Sequence, residues 1–476
     1  MIPDRIIDTF VSSSWIVFAV FLLALSMIPL YLYITGPPDI PLPGPKSYPY
    51  PLSAISHIYA VRKCQGAHMI QYELFKEYGK LFKMHIYGRT PTICVADPEM
   101  AKKIMVKEFY KFRNRGLPFE LPPPIDSELF VSKYPKWKRL RKVLSPAFSG
   151  GKLKSTADLV EDAAYRLNSK LNKHSLTGES VELSDLISLC VLDVILSSSF
   201  GVDTTDLQTG EDRTLIDRAK TLFNRPFSTV LATLLPLGSL IPKYVDVIGN
   251  AGYFMDLASA IINDRQQHGY AGRYDVVQLM IDANKTVVDG ERRLNDDEMK
   301  GISLSFLAAG YETTSTVLIC TCYFLATDQH VQEKLVQEIQ TAKENHQGSL
   351  YELVHSIEYL DWVLKEVIRL CPPGHRHLRE CVDECSIDGV RFPKGTPIHI
   401  LAYAMHHDPE VWPDPFKFDP ERFKPDEVAK RHPFSYLPFG EGPRQCIGSR
   451  YAMMIMKILL VKVFDAGFRF KTTPDT

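Results

Sequence analysis

The 476-residue sequence predicts a mainly α-helical protein with small β-sheets, one large domain preceded by an N-terminal transmembrane helix. Three features carry that expectation. Residues 11–34 hold no charged side chain, and as a helix they extend about 36 Å, enough to cross a bilayer. Behind them, Gly36-Pro37-Pro38-Asp39-Ile40-Pro41-Leu42-Pro43-Gly44-Pro45 fixes φ and withholds backbone donors, which makes a stiff, extended hinge. The rest shows no repeat, low-complexity tract or second linker, and most of it reads as amphipathic helix.

Taken in chain order, residues 1–10 form a short flank, 11–34 the anchor, 35–46 the hinge and 47–476 the domain. A cleaved signal peptide competes for 11–34, but the apolar run is long and no small-x-small cleavage site follows it. Asp4, Arg5 and Asp8 precede the span whereas Lys46, Arg62 and Lys63 follow it, a bias toward a cytosolic globule. In that compartment the sequon Asn284-Lys285-Thr286 stays unmodified. Short β segments are expected from Leu81 to Val95, turning at Arg89-Thr90, and from Gly389 to Leu401, where Pro393-Lys394-Gly395 marks a hairpin. Between Thr221 and Ile262, apolar stretches broken by Pro226, Pro236, Gly238 and Pro242 either dip into a membrane surface or pack in the core.

A long buried helix opens at Asn295-Asp296-Asp297-Glu298 and runs to about Ala326. Its middle, Ala308-Ala309-Gly310-Tyr311-Glu312-Thr313-Thr314, sets small residues, an acid and two hydroxyls within two turns. Glycine is a poor helix former and threonine competes for backbone carbonyls, so a local opening is expected there.

Composition sets bounds on function. A net charge of −1 leaves no basic field for nucleic acid. The nine cysteines, at 64, 94, 190, 320, 322, 371, 381, 385 and 446, include neither a CxxC pair nor a CxxCH attachment site. A reducing compartment follows, with any haem held non-covalently.

The most specific string is Phe439-Gly440-Glu441-Gly442-Pro443-Arg444-Gln445-Cys446-Ile447-Gly448. Glycines let the backbone pass close to a flat macrocycle, and Cys446 stands where an apolar-periodic helix begins, whose N-terminus favours a thiolate. Arg444 offers a planar fork suited to a propionate, and Phe439 shields the sulfur from water. A lone cysteine beside a turn is usually structural. Six fixed positions matched by chance in a chain this long, however, is on the order of one in 10⁵.

This string resembles the haem-binding signature of the cytochrome P-450 family, and three further motifs resemble that family's. Glu312 and Thr313 match its oxygen-activating acid and threonine, catalytic residues that would relay protons through water. Glu366 and Arg369, followed by Arg422 in Phe418-Asp419-Pro420-Glu421-Arg422-Phe423, match its buried structural triad. Trp137 and Arg141, together with Arg379, match its propionate contacts, alongside Phe439, Arg444 and Gly448 in the loop. The resemblance implies the cytochrome P-450 fold around a buried haem b with Cys446 as axial ligand. The activity it implies is insertion of one oxygen atom from O₂ into a lipophilic substrate such as a steroid, fatty acid or xenobiotic.

NADPH electrons would come through a separate haemoprotein reductase, with cytochrome b5 a candidate second partner, because the chain has no nicotinamide site: Gly440 and Gly442 are followed by Gln445 rather than a third glycine. Lys138, Arg139, Lys142 and Arg450 either line that docking face or are simple surface charge. The resemblance places the protein in the endoplasmic reticulum membrane with its catalytic domain toward the cytosol, most like the animal microsomal, drug-oxidising or thromboxane-synthase-like group. Phe119, Leu121, Phe306, Ala309 and Pro373-Gly374-His375 are the candidate pocket walls. Thirty residues follow Cys446, fewer than the family generally carries, so a closing C-terminal hairpin is expected to be missing. Two alternatives stay open: a reductase-independent isomerase or synthase acting on a lipid peroxide, and a non-catalytic haem sensor.

Overall fold

The computed structural model describes residues 27, 40–46, 52–87, 90–117, 123–177, 180–202, 217–219, 251–270, 272, 275–285 and 294–473. Helices α1 (Leu52–Lys63) and α2 (Ala67–Tyr78) lead into strands β1 (Leu81–Tyr87) and β2 (Thr90–Val95). Helices α3 (Lys136–Leu144), α4 (Gly150–Thr177), α5 (Leu183–Phe200), α6 (Ala251–His268) and α7 (Val276–Lys285) precede the 32-residue α8 (Asp296–Thr327). There follow α9 (Gln329–Asn345), α10 (Glu358–Leu370), strands β3 (His377–Glu380), β4 (Cys385–Ile387), β5 (Val390–Phe392) and β6 (Pro397–Ile400), and finally α11 (Ser449–Asp465).

The ends of these helices are written in their caps. Asn295 accepts from Glu298 N while Glu298 reaches back to Asn295 N, a capping box that fixes where α8 starts. Gly201 closes α5 in the left-handed conformation at φ 63°. From Cys190 to Phe200 helix α5 is buried on nearly every side, packed on α8, and its one acid there, Asp193, is paired with Arg166 (2.7 Å). Among the described residues it alone is long and apolar enough to cross a membrane, and 61% of it is buried within the fold.

Four strands form one sheet in the order β1-β2-β6-β3, with β2 and β6 parallel and the outer pairs antiparallel. Strands β4 and β5 form a separate ribbon. This corrects the second β expectation. The strands flanking Pro393-Lys394-Gly395 belong to different sheets, and the hairpin turns instead at Asp388-Gly389, where both residues have positive φ (50° and 79°). A two-residue Asp-Gly loop matches the twist of paired strands.

Two cores result. Helices α3 to α11 share one, including Leu140, Val191, Leu307, Val363 and Ile455; the sheet has its own, around Phe82, Ile93, Phe112, Phe392 and Ile398. The segment Leu437–Ile447 bridges them: Leu437 belongs to the sheet core, Phe439 and Ile447 pack on the helical core. Part of the hinge is docked on β1, with Lys83 N donating to Pro43 O (2.8 Å) and Lys83 Nζ to Ile40 O (2.8 Å). Except for Met27 the anchor lies outside the described residues, as do Arg89 and most of Thr221–Ile262, whose end lies in α6. The Asn284 amide is bonded both ways to Leu294, at 3.0 and 2.8 Å, which leaves the sequon nitrogen occupied.

Several histidines are buried in the neutral form. His399, His406 and His407 are at most 6% exposed, and burial pulls all three down, His407 to about 4 and the other two further. In the unfolded chain they take up protons below about pH 6.5, whereas the fold resists them. Stability is therefore full above that pH and falls as pH drops from about 6.5 toward 4, His407 alone accounting for about 3 kcal/mol. Urea unfolding at stepped pH should show the midpoint falling steeply across this window, and a flat profile would contradict the burial.

Candidate functional site

Cys446 is the one exposed cysteine of nine, all of them free thiols. Its loop is tightened by Cys446 N donating to Phe439 O (2.9 Å) and Gln445 N to Gly442 O (3.0 Å). Gly440 and Gly442 take φ of 69° and 75°, and a Cβ on Gly442 would lie 2.2 Å from Met105 O. Only glycine fits there. Gly448 has ordinary φ (−93°) and is the N-cap of α11 instead. Enclosure pushes the thiol up, against the Gly448 and Ser449 backbone N–H groups and the cations of Arg141 and Arg115, which favour the thiolate.

Four arginines converge beside it. Arg444 is 3% exposed and Arg379 is 2% exposed. Arg141 Nη1 donates to Gln445 O (2.9 Å) and Arg115 Nη2 to Arg444 O (3.3 Å), so both brace the loop. Arg444 lies 4.2 Å above the Trp137 ring, with Nε on Arg113 O (3.0 Å) and Nη2 on Ser132 O (2.9 Å). Among the described residues, Arg444 Nη1 and Arg379 Nε have no partner. Burial and mutual repulsion pull Arg115 to about 10, Arg379 to about 9 and Arg444 to about 8. No carboxylate among the described residues contributes to any of these shifts.

Buried cations without an anion are costly unless a ligand supplies one. A dicarboxylate macrocycle whose metal takes a thiolate meets both needs, so the residues fit haem. Trp137, Arg141, Arg379, Arg444, Phe439, Gly448 and Cys446 are thus brought to one place.

Arg115 has no local motif to reveal it. The fold delivers it by pairing Asn114 with Glu380 in an isolated bridge (Glu380 N to Asn114 O, 2.9 Å), which sets it beside Arg379. Phe130 likewise carries no sequence signal; its ring is 50% exposed beneath the Arg115 guanidinium at 4.0 Å.

Helix α8 runs unbroken through Ala308–Thr314, so the expected opening does not form. The Thr313 hydroxyl is satisfied without it, donating to Ala309 O at 2.6 Å. Ala309, Glu312, Thr313 and Thr316 are nevertheless exposed in the middle of the helix, and their three- and four-residue spacing makes one accessible stripe. Phe306, just before it, stacks on Phe148 (5.4 Å), whose ring edge lies 3.8 Å from a Cβ built on Gly448. Two stacked rings, Phe306 and Phe148, thereby lie between the stripe and the cysteine loop.

Glu366 and Arg369 are fully buried and bidentate, at 2.6 and 2.8 Å. Asp419 N donates to Glu366 Oε1 (3.0 Å), and Arg422 Nε stands 3.4 Å from the same oxygen, an ion pair without hydrogen-bond alignment. Arg369 Nη1 ties down His406 O (2.8 Å) and Pro415 O (2.7 Å), while His406 Nε2 receives Leu437 N (2.8 Å). Of the pocket candidates, Phe119 and Leu121 lie outside the described residues. Gly374 is exposed, Pro373 half-buried, and the His375 Nε2 has no partner among the described residues. Lys138, Lys142 and Arg450 are exposed, whereas Arg139 is half-buried and paired with Glu298, at the start of α8.

Residues 45–476 match the family model described as Cytochrome P450. Cytochrome P450 3A11 of Mus musculus is 34% identical over 472 residues, covering 96% of this chain and 91% of the relative. Cytochrome P450 3A5 of Homo sapiens is 35% identical over 499 residues, covering 100% and 93%. Cytochrome P450 3A29 of Sus scrofa is 34% identical over 483 residues, covering 99% and 93%.

Proposed function

This chain belongs to the cytochrome P450 family of haem-thiolate monooxygenases, and from that premise we propose that it oxidises lipophilic substrates with electrons from a membrane-bound NADPH-dependent reductase. The observation that carries this reading is the set of four arginines, Arg379 and Arg444 buried and Arg115 and Arg141 half-buried, gathered around an accessible cysteine with no carboxylate among the described residues to balance them.

Cys446 would be the thiolate ligand, Trp137, Arg115, Arg141, Arg379 and Arg444 would hold the propionates, and Phe439 and Gly448 would line the loop beside the sulfur. When bound, haem supplies oxygen activation, with electron donation from the sulfur. The chain supplies position and protons. Thr313 Oγ1 holds a proton that it now donates to Ala309 O; rotation about χ1 turns it toward the accessible stripe. Glu312, exposed beside it, restores that proton from water. Phe130, Ala309, Phe306 and Pro373-Gly374-His375 wall the substrate, whose apolar character matches entry from a bilayer. Residues 11–34 would anchor the domain in the endoplasmic reticulum membrane, cytosolic side, and Lys138, Lys142 and Arg450 would meet the acidic reductase or cytochrome b5.

NADPH consumption with purified reductase tests the reaction. Substrate-dependent turnover is expected; turnover with peroxide alone would favour the isomerase, and none at all a sensor. Arg115→Leu gives a second test with opposed readouts. Removing one repelled cation should raise the melting temperature of the haem-free protein and speed haem transfer to apomyoglobin about tenfold. Unchanged transfer would remove Arg115 from the propionate site.

A further inference from the structure

Glu128 is a buried acid with no part in the scheme above. It is 9% exposed, its Oε1 has no partner among the described residues, and burial alone pushes its carboxyl up to about 8. The neighbouring cations are committed elsewhere: Lys136 donates to Asp126 (3.0 Å) and Ser127 (2.7 Å), and Arg139 pairs with Glu298. Its backbone is pressed onto α8. A Cβ on Gly301 would lie 2.3 Å from Pro124 O and 3.3 Å from Glu128 N, and Ser305 Oγ accepts from Leu129 N at 3.1 Å. Gly301, Ser305, Ala309 and Thr313 recur every fourth residue along one side of α8; residues 124–129 cover the first two, which puts the Glu128 backbone one to two turns before the exposed Ala309, and about 12 Å of helix separates Ser305 from Thr313.

An unpaired buried carboxyl is destabilising, and leucine or glutamine would fill the same space without that cost. Its Oε1 is best satisfied by a cation brought from outside, since none of the described residues provides one. We infer that Glu128 is a specificity-determining residue that pairs with the protonated amine of a lipophilic substrate, whose apolar body lies along α8 toward Ala309. This rests on the proposed monooxygenase pocket. It holds the nitrogen at the end remote from Thr313, so oxidation falls on carbon distant from nitrogen.

Equilibrium dialysis of the haem-loaded full chain with N,N-dimethyloctylamine and uncharged N,N-dimethyloctanamide tests it, using wild type, Glu128→Gln and Glu128→Leu. Both variants should bind the amine about tenfold more weakly and the amide within twofold of wild type. In wild type the preference for amine over amide should grow from about pH 6 to 9 as the carboxyl ionises. Unchanged amine affinity in both variants, or equal loss of amine and amide, would overturn the inference. Failure of the wild type to bind even the amide would strike the pocket assignment itself, and the inference with it.

Discussion

Glu366→Ala is expected to yield almost no haem-loaded protein. The carboxylate is fully buried, meets Arg369 twice, takes Asp419 N and faces Arg422. Its loss leaves the Arg369 guanidinium charged with no counter-ion at zero exposure, a change that costs about 3 to 5 kcal/mol. That is a large part of the 5 to 15 kcal/mol by which a domain is typically stable. The damage is also directed. Arg369 holds His406 O, and His406 Nε2 holds Leu437 N, which begins the segment carrying Cys446. Expression followed by the ratio of haem absorbance to protein absorbance measures it, and a normal ratio would show that the loop stands without the triad. Glu366→Gln should recover part of the packing but little of the yield, because a neutral amide cannot balance the guanidinium.

Cys446→Ser should abolish the thiolate-type Soret maximum of the reduced, carbon-monoxide-treated protein and lower substrate oxidation at least a hundredfold. The serine hydroxyl matches the thiol in shape, so the backbone bonds Cys446 N–Phe439 O and Gln445 N–Gly442 O and the arginine cluster should persist. What disappears is the soft sulfur donor, whose anion the Gly448 and Ser449 N–H groups, Arg141 and Arg115 favour against the enclosure that raises the thiol. Haem held by the arginines alone would show the spectrum of a weaker axial ligand. A variant that kept the thiolate maximum would remove Cys446 from the iron.

The electrostatics of the two regions differ in kind. The triad is closed, its one carboxylate shared by two guanidinium groups of the chain, and its role is to fix geometry. The arginine cluster is open, with Arg379 Nε and Arg444 Nη1 unpartnered among the described residues, and its role is to receive a ligand. The same residue type thus serves both ends, and only the presence or absence of a carboxylate within reach distinguishes them.

The sequence alone determined whatever is local in the chain. The glycines and cysteine of residues 439–448, the capping box at Asn295-Glu298 and the three-residue spacing of Glu366 and Arg369 are set by backbone conformation and helical period, which neighbours in sequence decide. Only the tertiary structure decided what depends on distant segments meeting. It moved the hairpin from Pro393-Lys394-Gly395 to Asp388-Gly389, because β6 had partners in β2 and β3. It set α8 along α5 with its helix unbroken, and it paired Arg139 with Glu298. It brought in Arg115 through a bridge between residues 114 and 380 and left Glu128 without a counter-charge among the described residues. Burial and pairing are properties of the assembled core, and no spacing within a single segment encodes which charge will find a partner there.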